Sequence, residues 1–226
     1  MLSEHPEIAL VGSQAYCIDE QGTVSDNLYL NRVPLDHDDI VHSLLYHNVI
    51  SHPSVLFRRS AVLELGNYQR MPNVKDYDLW LRMAARYKLA NLDLPLIYYR
   101  IHTKSTTQTK NREGTLIELI DECVSKNAPV LFGCTGSEAK ALRDRHHRLA
   151  IRILYKIARH LHKTQGGNLL DRLRSDSFIE LSQKLMSSQD IISRFTLASL
   201  GQGKHSLTNK LMRLVSSDLL KNQHEI

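Results

Sequence analysis

The chain has 226 residues, 42% of them hydrophobic and 23% charged, with a formal net charge of +5 and a sequence pI of about 9.1. That is an ordinary globular composition, long enough for one full domain or a domain plus a helical appendage. No apolar run approaches the ~20 residues that span a bilayer, and the opening "MLSEHPEIAL" lacks the basic stretch and apolar core of a secretion signal. Neither insertion nor secretion is predicted, and a cytoplasmic location is the expectation. Cys17, Cys123 and Cys134 are odd in number and share no Cys-x-x-Cys spacing. They predict buried, reduced thiols rather than a disulfide framework.

In chain order, "IALVG" (8–12) and "AYCID" (15–19) predict two strands, with Glu20-Gln21-Gly22 as the turn that follows. "LDHDDIVHSLLYHN" (35–48) predicts a helix with Asp36 or Asp38 near its start and Ile40, Leu44 and Leu45 on one face. "SVLFR" (54–58) reads as a buried strand. "SAVLELG" (60–66) reads as a short helix with Ser60 as N-cap, Leu63 inside and Gly66 as stop. "NVKDYDLWLRMAARY" (73–87) predicts a helix with Asn73 as N-cap, after which "LANLD" (89–93) and "PLIYYRIH" (95–102) return to β. Short strands alternating with short helices predict an α/β layer architecture.

Beyond residue 110 the pattern turns helical. "REGTLIELIDECVSKN" carries apolar residues at 116, 117, 120, 123 and 124. "TGSEAKALRDRHHRLAIRILYKIARHLHK" (135–163) predicts one long helix, opened by a capping-box pattern of Thr135 or Ser137 with Glu138. Its Leu142, Leu149, Ile153, Ile157 and Leu161 form a stripe, with bases opposite, and "TQGGN" (164–168) ends it. Further helices are expected near 169–186, 189–200 and 205–221. Residues 138–163 hold eight bases against two acids, an excess greater than the whole chain's +5. A solvated basic face of a packed helix is the preferred reading. Contact with an anionic membrane surface is the alternative. Nucleic acid is disfavoured, since Tyr155 is the only aromatic in that segment and no nucleic-acid motif occurs.

Few residues stand out chemically. Asp78 has Arg82 four residues on, the favourable orientation for a helical ion pair. Asp76 has only Leu79, Trp80 and Met83 at the corresponding spacings. It is either a first-turn acid suited to the helix dipole or a general base presented on the rim of a cleft, and spacing leaves both open. In a strand, Tyr98, Arg100 and His102 share one face. Arg100 suits either a structural carboxylate or a phosphate, and His102 either a structural place or a metal. His52 precedes Pro53 and is thereby held near an extended backbone. "DHDD" (36–39) reads as the acidic start of a helix rather than a metal cluster. No P-loop, GxGxxG, HExxH or GxSxG pattern occurs.

Taken together, "ISHPSVLFRRSAVLELGNYQ", "VKDYDLWLRMA" and "LPLIYYRIHTKSTT" resemble the C-terminal half of family 2 glycosyltransferases with the GT-A fold. Order, spacing and residue types agree over roughly residues 5–107, with "DYDLWLR" the most specific block. The resemblance implies an incomplete GT-A-like mixed sheet with flanking helices in residues 1–107, followed by a helical region over 108–226. It implies that Asp76 is the base that takes a proton from the acceptor hydroxyl during inverting transfer from a nucleotide sugar. Gly66 and Asn67 match the turn near donor and acceptor, and His52 and Arg100 join them as binding positions, Arg100 toward the diphosphate. His102 matches a histidine that in many such enzymes joins a divalent metal, Mg²⁺ or Mn²⁺.

Lys75 departs from the family's usual Glu and places a cation beside the candidate base. The family's Asp-x-Asp metal motif, and the acid that reads the nucleotide base, normally lie before the segment matching "EHPEIALVGS"; "DHDD" (36–39) follows that segment and does not stand in for the motif. The expectation is therefore a chain with weak nucleotide-sugar binding and little turnover on its own. The expected setting, by resemblance, is polysaccharide assembly at the inner membrane face, with a nucleotide-sugar donor and a glycan or lipid-linked acceptor. The rival reading is a non-catalytic helical interaction module, or a membrane-surface partner of another glycosyltransferase subunit.

Overall fold

The computed structural model describes residues 2–30, 32–102, 114–144 and 147–167. The helices expected near 169–186, 189–200 and 205–221 lie outside those residues. The chain divides into two compact units, Met1–Arg143 and Asp144–Ile226.

The first unit is built on β1 (Ile8–Ile18), one continuous strand where two short ones were expected. The polar pair Ser13 and Gln14, which interrupts the apolar pattern, is buried inside it. Both are hydrogen-bonded, which is what makes their burial tolerable. Gln14 Nε2 donates to the Val33 carbonyl (3.1 Å) and its Oε1 accepts from the Val33 N–H (3.0 Å). The Ser13 hydroxyl donates to the Gln14 carbonyl (2.9 Å) and its backbone N–H to Ser54 Oγ (3.1 Å).

A strand has two edges. One edge of β1 is taken along its whole length by β4 (Lys88–Arg100), in parallel, from Ile8 opposite Lys88 to Ile18 opposite Arg100. The other is shared by two antiparallel pieces: β3 (Leu56–Phe57) opposite Leu10 and Val11, and β2 (Val24–Leu28) opposite Tyr16 and Ile18. β4 also merges two expected strands. Leu92 pairs with Ser13 and Pro95 with Gln14, so Asp93 and Leu94 bulge, and a bulge is where a strand tolerates proline. β2 was not expected, because "VSDNL" shows no apolar alternation. It is recruited by the preceding turn, in which Asp19 Oδ1 accepts the N–H groups of Gln21 (2.9 Å) and Thr23 (2.8 Å) and Gly22 takes a φ of 92°. The expectation of a buried strand over 54–58 is corrected: β3 is two residues long and Leu56 is 65% exposed.

The helices of this layer keep their expected places with different ends. In α1 (His37–Leu44), Asp36 is the N-cap and accepts the Asp39 N–H at 3.1 Å, while Ile40, Leu44 and Leu45 are buried as the pattern predicts. α2 (Arg59–Glu64) starts before Ser60, so Ser60 does not cap it. Leu63 points outward, and Ala61 and Val62 are buried instead. α2 ends as predicted at Gly66: the N–H of Gly66 reaches the Leu63 carbonyl (3.0 Å) and that of Asn67 reaches the Val62 carbonyl (2.9 Å). This is a Schellman closure, with φ of 79° at Gly66 and 63° at Asn67. α3 (Lys75–Ala84) follows Val74, so Asn73, at φ 67°, is not its cap. Its Tyr77, Leu79, Trp80, Leu81 and Met83 are buried to within 2% of full burial and form the centre of the core.

α4 (Thr115–Leu131) and α5 (Gly136–Arg143) complete the first unit. The capping box is reciprocal: the Thr135 N–H donates to Glu138 Oε2 (2.7 Å) and the Glu138 N–H to Thr135 Oγ1 (3.1 Å). The expected single helix over 135–163 is two, since α6 (His147–Gln165) begins after a break. In the sequence, residues 143–148 are six consecutive polar residues, which interrupts the apolar stripe that one continuous amphipathic helix needs. The basic segment is divided accordingly. Lys140 and Arg143 pair with Asp121 in the first unit (2.7 and 2.6 Å), whereas Lys156, Arg159 and Lys163 are exposed on α6. Among the described residues no helix is long and apolar enough to cross a membrane.

Candidate functional site

The site gathers at the start of α3. Asp76 stands in the helix's first turn, where exposed backbone N–H groups favour a negative charge. It is half-buried, between fully buried Asp78 on the same helix and exposed Lys75. The acid that lacked a partner at helical spacing has one from elsewhere: Asn48 Nδ2 donates to Asp76 Oδ2 at 3.3 Å. The charge of Asp76 also reaches two phenols. Burial raises the titration of Tyr68, and the nearby Asp76 carboxylate adds to the effect. Tyr29 is raised more strongly, by burial first, then by its hydrogen bond and proximity to Tyr99, with Asp76 contributing.

Tyr68 is the residue after the Gly66-Asn67 turn, and its hydroxyl shares a 3.0 Å hydrogen bond with His52 Nε2. The His52 ring stands edge-on to Trp80 (centroids 5.8 Å apart, 70° between planes), one helical turn beyond Asp76. The turn itself is held from below. Arg82 donates from Nη1 to the Leu65 carbonyl (2.8 Å) and from Nη2 to the Asn67 carbonyl (2.9 Å). Arg82 is in turn fixed by Asp78, which is fully buried and accepts Arg82 Nε at 2.8 Å, Asn127 Nδ2 at 3.1 Å and Lys126 Nζ at 3.3 Å. The two acids that open α3 thus do different work: Asp78 ties the helix to α4 and to the Gly66-Asn67 turn, and Asp76 takes the amide of Asn48.

Asp76, His52, Gly66 and Asn67 are therefore brought to one neighbourhood by α3, the 3₁₀ turn His52–Ser54 and the end of α2. Arg100 and His102 lie at the C-terminal end of β4, beside Ile18. Arg100 Nη1 donates to the carbonyls of Asp19 (2.6 Å) and Glu20 (3.0 Å), steadying the β1–β2 turn. The link from that end to Asp76 runs through aromatics: Tyr99, adjacent to Arg100, stacks on Tyr29 with centroids 3.8 Å apart, and Tyr29 is within the field of Asp76. Sequence reasoning missed Asn48, Tyr29 and Tyr99. Tyr68 and Tyr99 carried a hint, as parts of the "ISHPSVLFRRSAVLELGNYQ" and "LPLIYYRIHTKSTT" blocks. Among the described residues no three His, Cys, Asp or Glu side chains converge as a metal site. Mg²⁺ and Mn²⁺ demand about six ligands, mostly oxygen, so His102 alone does not make a site. All three thiols are free, Cys123 and Cys134 buried as expected and Cys17 only partly so, and burial pushes Cys123 up to about 12.

Comparison with known proteins points one way. The chain is 33% identical over 118 residues to the amylovoran biosynthesis glycosyltransferase AmsE of Erwinia amylovora, covering 52% of this chain and 42% of AmsE. It is 32% identical over 106 residues to the O-antigen biosynthesis glycosyltransferase WbnJ of Escherichia coli, covering 46% of this chain and 40% of WbnJ. A longer, weaker match, 23% over 177 residues, is to an uncharacterized glycosyltransferase of Haemophilus influenzae, covering 73% of this chain and 54% of that protein. The chain spans about two-fifths of the length of AmsE and WbnJ. No family model matches it, and no solved structure does. The chain is a distant homologue of bacterial glycosyltransferases.

Proposed function

We propose that this chain carries the acceptor-side part of a family 2, GT-A-type inverting glycosyltransferase in residues 1–107, with 108–226 as its helical continuation, and that it acts in surface-polysaccharide assembly. Asp76 is the general base. The acceptor hydroxyl gives its proton to the Asp76 carboxylate as its oxygen bonds to the anomeric carbon of the donor sugar. The bond from that carbon to the nucleoside diphosphate breaks on the opposite side, and its electron pair leaves with the phosphate. Tyr68, His52 and the Gly66-Asn67 turn line the approach, Arg100 lies toward the diphosphate, and a divalent cation with His102 among its ligands is the expected cofactor. A nucleotide sugar and a glycan or lipid-linked acceptor are the substrates.

One observation carries this reading: a half-buried carboxylate at a helix N-terminus, hydrogen-bonded by the Asn48 amide, in a chain related to glycosyltransferases of amylovoran and O-antigen biosynthesis. The test is complementation. Deleting the coding sequence in the parent organism is expected to alter its surface polysaccharide on a gel. The wild-type chain restores the profile, and Asp76→Asn, expressed to the same level, does not. Restoration by Asp76→Asn, or an unchanged profile on deletion, refutes the proposal.

A further inference from the structure

We infer that Asn48 is a positioning residue for Asp76, fixing which carboxylate oxygen meets the acceptor. The inference rests on the reading of Asp76 as the base. Asn48 follows α1 in a well-anchored stretch. Val49, Ile50 and Ser51 are each at most 4% exposed, and the Val49 carbonyl accepts Asn91 Nδ2 at 3.4 Å. The Asn48 side chain is set by its own backbone, since Oδ1 accepts the Ile50 N–H at 3.1 Å in an Asx turn.

That bond decides the orientation of the amide. A backbone N–H can only donate, so the group facing it must be the amide oxygen, and the amide nitrogen must point the other way. There it meets Asp76 Oδ2 at 3.3 Å, and an ionised carboxylate can only accept. Both ends of Asn48 are thus matched to partners of opposite kind, and neither can be flipped. The consequence for Asp76 is directional. Asn48 engages one lone pair of Oδ2, and among the described residues Oδ1 carries no hydrogen bond, so Oδ1 is the more open of the two oxygens to the acceptor's proton. A base presented on rigid support loses less to misorientation than one free to rotate, and misplacement of a reacting group by ~1 Å can cost about a hundredfold in rate.

Asn48→Asp isolates the effect. It keeps an oxygen for the Ile50 N–H, so the turn is preserved, and it replaces the donor facing Asp76 with a second acid. Two readouts follow. In the ¹⁵N-labelled full chain, the Asn48 side-chain NH₂ signals, identified by their loss in Asn48→Asp, are expected to move with a single inflection through an acid titration. Asp76→Asn is expected to abolish that movement. In complementation, Asn48→Asp is expected to restore on the order of 10- to 100-fold less polysaccharide than wild type, although its thermal unfolding stays close to wild type. NH₂ signals indifferent to Asp76, or full restoration by Asn48→Asp, overturn the role of Asn48 alone if Asp76→Asn still fails to restore. Restoration by Asp76→Asn overturns the base beneath it.

Discussion

Asp78 is the residue whose removal tests the architecture most sharply. It is fully buried and is held by Arg82, whose side chain is 13% exposed, by Asn127, and by Lys126, which is 46% exposed. Asp78→Ala leaves the Arg82 guanidinium without its counter-charge in a nearly dry place. Breaking a buried pair from one side typically costs about 3–5 kcal/mol. Three features of the structure put this case at the low end. Arg82 keeps its bonds to the Leu65 and Asn67 carbonyls, Asn127 keeps its bond to the Cys123 carbonyl (2.9 Å), and Lys126 can turn to solvent. The expected loss is about 3 kcal/mol, roughly a 150-fold change in the folding equilibrium. That is a large part of the ~5–15 kcal/mol of a typical domain. Trp80, the chain's only tryptophan, lies in the same helix and is fully buried, so urea unfolding followed by its fluorescence reports the unit directly. The midpoint should fall by about 1–2 M for an ordinary urea slope of roughly 2 kcal/mol per M. Arg82→Met added to Asp78→Ala should cost less than Arg82→Met alone, because the stranded charge is then gone. A loss below about 1 kcal/mol, or strict additivity of the two changes, would refute the argument.

Two further outcomes are expected from the same unfolding assay. Gly12→Ala would place a Cβ 2.3 Å from Asn91 Oδ1. Asn91 cannot retreat without giving up the Pro34 carbonyl (2.7 Å) and the Val49 carbonyl, so the expected cost is about 2–3 kcal/mol, less in an Asn91→Ala background. Asp121 is pushed up by its burial, but the hydrogen bonds and charges of Lys140 and Arg143 outweigh that and hold it below the usual carboxylate range. A lowered folded-state value stabilises above the unfolded value of about 3.9 and is lost as pH falls through the folded one. Asp121→Asn should therefore be less stable near neutrality and should show a shallower loss of urea midpoint below about pH 4. An unchanged acid slope would argue that Lys140 and Arg143 do not stabilise the anion.

How much was legible can be judged residue by residue. Gly66 was read as a helix stop, and the Thr135–Glu138 box as a helix start, because both signals are local: a positive φ and two reciprocal bonds within four residues. Asp78 with Arg82 was legible for the same reason, as spacing within one helix sets that contact. Ser13 and Gln14 misled, since a buried polar pair looks like a strand break until Ser54 and Val33 arrive to satisfy it. Leu63 misled as well, because a six-residue helix gives too few positions to show which face turns inward.

By itself, then, the sequence determined the α/β class, the helix ends at Asp36, Gly66 and the Thr135–Glu138 box, the ion pair in α3 and the chain's likeness to glycosyltransferases, all of which depend on residue type at short range. The tertiary structure decided what lies beside Asp76. Asn48 is 28 residues away in sequence, and the stacked pair Tyr29 and Tyr99 likewise joins the two different edges of β1. No local pattern encodes such pairings, because they exist only once β4 and the β2 hairpin have paired with β1 and α1 has been set against α3.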